Sequence, residues 1–355
     1  MEQDIDALYY NAVDLLKEMI STPSFSREEH NVAEVIISCM RKMGFSPDRK
    51  GNNLWIRNKD FDPSKPTILL NSHMDTVRPV SGWTKDPFFP EVDGDTLYGL
   101  GSNDAGASLV CLLHAFFTLT QKKQDYNLIF LASCEEEVSG NGGAEAVVPE
   151  LPQIAFGIVG EPTQMNPAIA EKGLLVLDCT SYGKAGHAAR NEGENAIYKA
   201  IKDIEWFRTY EFPQTSDLLG PVKMTVSMVS AGTQHNVVPD KCHFVVDVRS
   251  NELYSNEELY HIIDKHTDCE VKPRSFRLNS SRISLENPFV QRAIIIGKTP
   301  YGSPTLSDQT FMPFPTLKMG PGDSARSHTA NEYIHLSEIR EAIELYVKLL
   351  DGLRI

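Results

Sequence analysis

The chain has 355 residues, 41% apolar and 23% charged, enough to bury a sizeable core in one large domain or two. Its 48 acidic residues outnumber 34 basic ones, and the net charge of −14 argues against nucleic acid or an anionic membrane surface as partner. No apolar run approaches the ~20 residues of a membrane span, the acidic Met1-Glu2-Gln3-Asp4 start lacks the form of a signal peptide, and six scattered cysteines without a C-x-x-C pair suit reduced thiols in a cytoplasmic protein.

In chain order, residues 4–20 place Leu8, Leu15, Leu16 and Met19 on one helical face, ending before Ser21-Thr22-Pro23. A second helix is expected over 27–43, with Val32, Val35, Ile36, Cys39, Met40 and Met43 inward and Gly44 as its stop. Short apolar runs then alternate with helices, the pattern of an α/β sheet. Four of these runs lead into polar residues able to hold a metal. Thr67–Leu70 precedes His73 and Asp75, and Leu128–Ala132 precedes Glu135-Glu136-Glu137. Ala155–Val159 precedes Glu161-Pro162-Thr163, and Thr316–Met319 precedes a glycine loop and His328. In open α/β sheets a site forms beyond the carboxyl ends of the strands. The middle of the chain instead gives strand, helix, strand, strand, helix, strand: 174–180, 196–210, 223–230, 243–249, 257–265 and 271–277, a small α+β insertion of ferredoxin-like order.

Each motif has two readings. His73-x-Asp75 suits a metal ligand with its own orienting carboxylate, or a plain hydrogen-bonded pair at a strand end. Asp104, in Gly99-Leu100-Gly101-Ser102-Asn103-Asp104-Ala105-Gly106, is either a ligand or the N-cap of the apolar helix that follows. The dinucleotide reading of that loop lacks the full G-x-G-x-x-G. Three consecutive glutamates after a hydrophobic strand are costly unless cations neutralise them or a pKa rises; alternatively they form a solvated turn. In the first case one binds metal while its neighbour serves as general base. Glu161-Pro162-Thr163 is a further strand-end carboxylate or a plain turn. Gly320-Pro321-Gly322-Asp323-Ser324 offers exposed backbone N–H groups.

The ordered set His73-x-Asp75, Gly101-x-x-Asp104, Glu136-Glu137, Glu161-Pro162-Thr163 and Ser327-His328-Thr329 resembles the acetylornithine deacetylase, succinyl-diaminopimelate desuccinylase, aminoacylase and glutamate carboxypeptidase family. The resemblance runs from about residue 5 to the end and implies a zinc-peptidase-like α/β catalytic domain, 1–172 plus 283–355, with an inserted α+β lid or dimerisation domain at 173–282. It implies two zinc ions, replaceable by cobalt or manganese. His73 and Glu161 would hold one, Glu137 and His328 the other, and Asp104 both, with Asp75 orienting His73. Val138-Ser139 after the acidic run makes Glu136 the general base; a register slip of one would give Glu135 that role. Gly183–Ala189 looks like the signature whose histidine, His187, reaches a partner subunit's site. Asn236 and Arg249 match substrate contacts; Gly320 and Gly322 are further substrate-binding candidates through their backbone N–H groups. Asp104-Ala105-Gly106 departs from the common Asp-Met-Lys-Gly.

The expected activity is removal of an acetyl or succinyl group from an amino acid such as ornithine or citrulline, in arginine biosynthesis, by a cytoplasmic homodimer. Arg326, two residues before His328, is either an exposed loop arginine or a residue that would favour an anionic acyl group such as succinyl. Ser307-Asp308 resembles a stretch of the desuccinylase. A desuccinylase or a dipeptidase would use the same ligands. A silent binding protein on this fold would lack a ligand or the base, and none is missing.

Overall fold

The structure, a computed structural model, describes residues 5–355; Met1–Asp4, with the first residue of the expected opening helix, lies outside them. Helices α1 (Ile5–Ile20) and α2 (His30–Lys42) open the chain, followed by strands β1 (Asn53–Arg57) and β2 (Thr67–His73). Helix α3 (Ala107–Leu119) and strands β3 (Asn127–Ser133) and β4 (Phe156–Val159) come next. The middle segment holds β5 (Leu175–Tyr182), α4 (Ala196–Thr209), β6 (Lys223–Ala231), β7 (Lys241–Arg249), α5 (Asn256–His266) and β8 (Glu270–Pro273). Strand β9 (Thr316–Lys318) and helix α6 (Leu336–Leu350) end the chain.

The chain divides into two compact units. The first comprises residues up to Ile169, Arg282–Tyr301 and Ser307–Ile355; the second comprises Ala170–Ser281 and Gly302–Leu306. The short return of 302–306 to the second unit has no signal in composition or periodicity.

In the first unit the central strands run in the order β1, β3, β2, β4, β9. Strand β1 is antiparallel to β3, and the other four are mutually parallel. All seven residues of β2 and of β3 are buried, which is why these strands are continuous apolar runs without alternation. Helix α3 packs on β2 and between α1 and α6, with each of its thirteen residues buried. It is apolar on every side because every side has a neighbour. Helix α1 buries the face expected of it, Leu8, Leu15, Leu16 and Met19; on α2 Val32, Ile36 and Met40 are buried, while Val35, Cys39 and Met43, also expected inward, are half-buried. Gly44 closes α2 at φ 81°. Because β2, β3, β4 and β9 are parallel, their carboxyl ends share one edge of the sheet.

The second unit is an antiparallel sheet in the order β6, β7, β5, β8 with two helices, the ferredoxin-like βαββαβ arrangement. Leu175, Leu177 and Cys179 alternate inward along β5 and meet Phe207 of α4, Phe244 and Val246 of β7, and Leu259 and Ile263 of α5. All six cysteines are free thiols, five of them buried. Among the described residues no helix is long and apolar enough to cross a membrane.

Candidate metal centre

The register of the parallel strands brings the donors together. His73, last residue of β2, pairs with Ser133 of β3, so the chain leaving β3 turns directly past the imidazole. Asn71 pairs with Val159 of β4, which places Glu161 on its other side. Asp104 arrives from the loop before α3. It is not the helix N-cap: Gly106 holds that position, with no side-chain cap. Instead its two oxygens face two histidines. His73 Nε2 lies 3.3 Å from Asp104 Oδ1, and His328 Nε2 lies 3.7 Å from Asp104 Oδ2. His73 Nε2 is also 3.8 Å from Glu161 Oε1, and His328 Nε2 is 2.9 Å from Glu137 Oε2.

The donor set fits a metal ion. Donor atoms of His73, Glu136 and Glu161 lie within 4.8 Å of one another, as do those of His73, Asp104 and Glu137. Glu161 Oε1 is buried without a hydrogen-bond partner, an arrangement that costs free energy unless a cation accepts its lone pairs. A set of carboxylates with two imidazoles suits zinc and other first-row dications.

The electrostatics agree. Burial lowers the His73 pKa, but the neighbouring carboxylates of Asp104 and Asp75, with Glu136 and Glu161, outweigh it and hold the imidazole well above its usual range. Its bond to Glu137 raises His328 to about 9. Burial lifts Glu161 to about 8 and, against the pull of His73, lifts Glu136 well above the carboxylate range, with Glu161, Asp308 and Glu137 adding to it. Opposed by burial, the His73 contact, with Ser327 and His328, still keeps Asp104 low. Protons on the histidines offset this negative cluster, and dications would displace them on binding.

The acidic turn divides its labour by backbone conformation. Glu135 has φ 57°, and its carboxylate fills the hollow of the 140–142 loop, where a Cβ on Gly140 or Gly142 would lie 2.0 or 2.3 Å from its oxygens. Glu136 and Glu137 therefore face the cluster and Glu135 does not. Asp75 holds both in place: its carboxylate accepts the N–H groups of Glu136 (3.0 Å) and Glu137 (3.2 Å) and the Ser26 hydroxyl (2.7 Å). The Asp75 carboxylate stands 3.6 Å from His73 Nδ1, and the nearer acceptor, at 2.9 Å, is its backbone carbonyl.

Two expectations are corrected, for Gly320 and Arg326. Gly320 does not present its N–H to an anion; it donates to Thr163 Oγ1 (3.1 Å), and a Cβ there would meet Ser108 Oγ at 2.2 Å. Gly322, at φ 84°, is buried against Asn103. Both glycines serve close packing of the loop. Arg326 is neither a free anion receptor nor an exposed loop residue, because Glu338 holds its guanidinium at 2.6 Å over the Tyr333 ring. Sequence reading missed Ser26 and Glu29. The latter is buried, and one oxygen accepts the N–H groups of Arg27 (2.6 Å) and Glu135 (3.1 Å). A serine and a glutamate in a loop far from any motif carry no periodic signal.

The remaining candidates lie in the second unit. His187 and Asn236 share a two-stranded ribbon, with Gly186–His187 paired to Val237–Val238 and the Ala188 N–H donating to the Asn236 carbonyl at 3.0 Å. His187 Nδ1 accepts the Ala189 N–H at 3.1 Å, which makes Nε2–H the donor of a neutral ring. Arg249 is paired with Asp247 at 2.8 and 3.0 Å.

Residues 69–352 match Peptidase family M20/M25/M40. The chain belongs to this family. A succinyl-diaminopimelate desuccinylase, so described as putative, from Mycobacterium tuberculosis is 26% identical over 96% of this chain and 98% of its own length. A [LysW]-lysine/[LysW]-ornithine hydrolase of Sulfurisphaera tokodaii is also 26% identical, over 96% of this chain and 95% of its own. The fold is that of solved M20 peptidases. Aminopeptidase PepT of Bacillus cereus superposes with TM-score 0.77 at 20% identity over 97% of this chain and 98% of its own. The YXEP protein of Bacillus subtilis, described as a dinuclear metal-binding M20 peptidase, gives 0.73 at 16% over 98% and 100%. The chain is thus an M20 hydrolase whose His, Asp and Glu side chains form a possible metal site.

Proposed function

We propose that this M20 hydrolase cleaves the amide bond joining a small acyl group to the amino group of an amino acid, with two zinc ions held by His73, Asp104, Glu137, Glu161 and His328. The observation that carries the reading is Asp104, whose two oxygens each face a different histidine. When bound, the two dications would polarise the scissile carbonyl and make attacking water more acidic.

Glu136 accepts the proton of that water and returns it to the leaving nitrogen. Its carboxylate lies among the donor atoms of His73 and Glu161, within reach of a water held at that cluster. Asp75 fixes the Glu136 backbone, and so the direction of the carboxylate. His187, with Nε2–H as donor, would hold the developing oxyanion from a second copy of the chain, and Asn236 and Arg249 would contact the substrate.

For the acyl group, the motif order supports acetyl removal from ornithine or citrulline. The relatives described as desuccinylases favour a second reading, succinyl removal from diaminopimelate. Arg326 lends the succinyl group no support, since Glu338 occupies it. The test is a panel of N-acetyl and N-succinyl derivatives of ornithine, citrulline and diaminopimelate beside dipeptides, assayed with added zinc. An N-acyl amino acid should give the highest kcat/KM; dipeptides turned over faster than every N-acyl amino acid would overturn the reading.

A further inference from the structure

Glu332 lies four residues beyond His328 and only 2% of it is exposed. Its Oε2 accepts the Gly101 N–H, and its Oε1 accepts those of Asn103 and Asp104, all at 2.9 Å. The Gly99 N–H donates to its backbone carbonyl at 3.0 Å. One residue thus gathers four N–H groups of the loop that delivers Asp104.

Asn103 links this loop to the segment before His328. Its Nδ2 donates to the Asp323 carbonyl and to Ser327 Oγ, both at 3.1 Å, and its Oδ1 accepts the Asp323 N–H at 3.1 Å. Ser327, whose hydroxyl accepts from Asn103, directly precedes His328 in the chain. Gly322 makes the approach possible, for a Cβ there would stand 2.2 Å from Asn103 Oδ1. A buried carboxylate is a costly way to hold a loop unless its special capacity is needed. Here three donors converge on two oxygens, which an amide cannot match: one of its two groups would turn N–H toward N–H.

We infer that Glu332 is a positioning residue for the metal pair, fixing the backbone of Asp104 and, through Asn103, tying it to the segment that carries His328. This rests on the assignment of Asp104 and His328 as metal ligands. Residues that orient ligands from behind typically change metal affinity by about 10–100-fold when altered.

The full chain is stripped with chelator and titrated with cobalt(II), followed by visible absorption, and with zinc by competition, for wild type, Glu332→Gln, Asn103→Ala and Asp104→Ala. Glu332→Gln should bind both metals roughly 10–100-fold more weakly and with an altered cobalt spectrum, a loss beyond any fall in its metal-free melting temperature. Wild-type affinity and spectrum in Glu332→Gln would overturn the inference. So would a loss of metal-free stability with affinity unchanged, the result of a purely structural role. If Glu332→Gln does not fold, Asn103→Ala carries the same comparison. If Asp104→Ala binds metal as tightly as wild type, the ligand assignment fails and the inference with it. If Asp104→Ala loses metal and Glu332→Gln does not, the inference alone fails.

Discussion

Glu136 and Glu137 are neighbours in the chain yet are assigned to different chemistry, because the Asp75 carboxylate accepts both of their N–H groups and turns the two side chains into one cluster. Glu136→Gln keeps size and shape but removes the basic oxygen. It should retain its metal content, measured by plasma emission, and lower kcat by about 10²–10⁴-fold with KM little changed. Near-normal turnover would remove Glu136 from the role. The ligand candidates were legible because each sits at or just beyond the carboxyl end of a buried strand, or in a glycine loop before a helix. What surrounds them was not. Arg326 and Glu338 are twelve residues apart and meet only after the 3₁₀ turn at Ser324–Arg326 and α6 are in place. Gly320 and Gly322 carry the same letters whether a glycine frees an N–H for a ligand or makes room for a neighbour, and only the neighbours decide.

At the scale of elements, the buried strands and α3 were readable from unbroken apolar runs, and the second unit from its alternation; strand ends moved by one to four residues. A cost hidden in such runs is His114 on α3. Its Nδ1 lies 2.8 Å from the Val110 carbonyl and its Nε2 is buried with no partner. Burial lowers its pKa to about 4 from an ordinary 6.5. The sign follows from proton counting. Between pH 6.5 and 4 the unfolded chain binds a proton here that the folded chain refuses, so stability from this group is complete above 6.5 and falls as the pH drops. His114→Phe should therefore gain on wild type by about 2–3 kcal/mol between pH 7 and pH 4. Urea unfolding of the metal-free proteins at the two pH values measures it. An unchanged difference would mean His114 titrates normally.

For the whole molecule the open question is what covers β6. Among the described residues this strand pairs only with β7, and from Ser227 on it is exposed, with Met228 64% and Val229 59% exposed. On α4, which packs beside it, Tyr198 and Ile201 are exposed as well. A nine-residue edge with apolar side chains invites pairing with another strand, and a second copy supplies an identical edge in the antiparallel sense that two-fold symmetry requires. We propose that the chain dimerises in this way. The net charge of −14 opposes association at long range, so the dimer should tighten as salt rises. Met228→Lys with Val229→Lys places four ammonium groups at the joint. It should weaken dimerisation by about 2 kcal/mol or more, roughly thirtyfold in Kd, as sedimentation equilibrium would show. If His187 serves a partner's site, the same variant should keep its metals and lose turnover at concentrations where it is monomeric. A wild-type chain that sediments as a monomer at tens of micromolar, yet is fully active, would sink both the interface and the shared histidine.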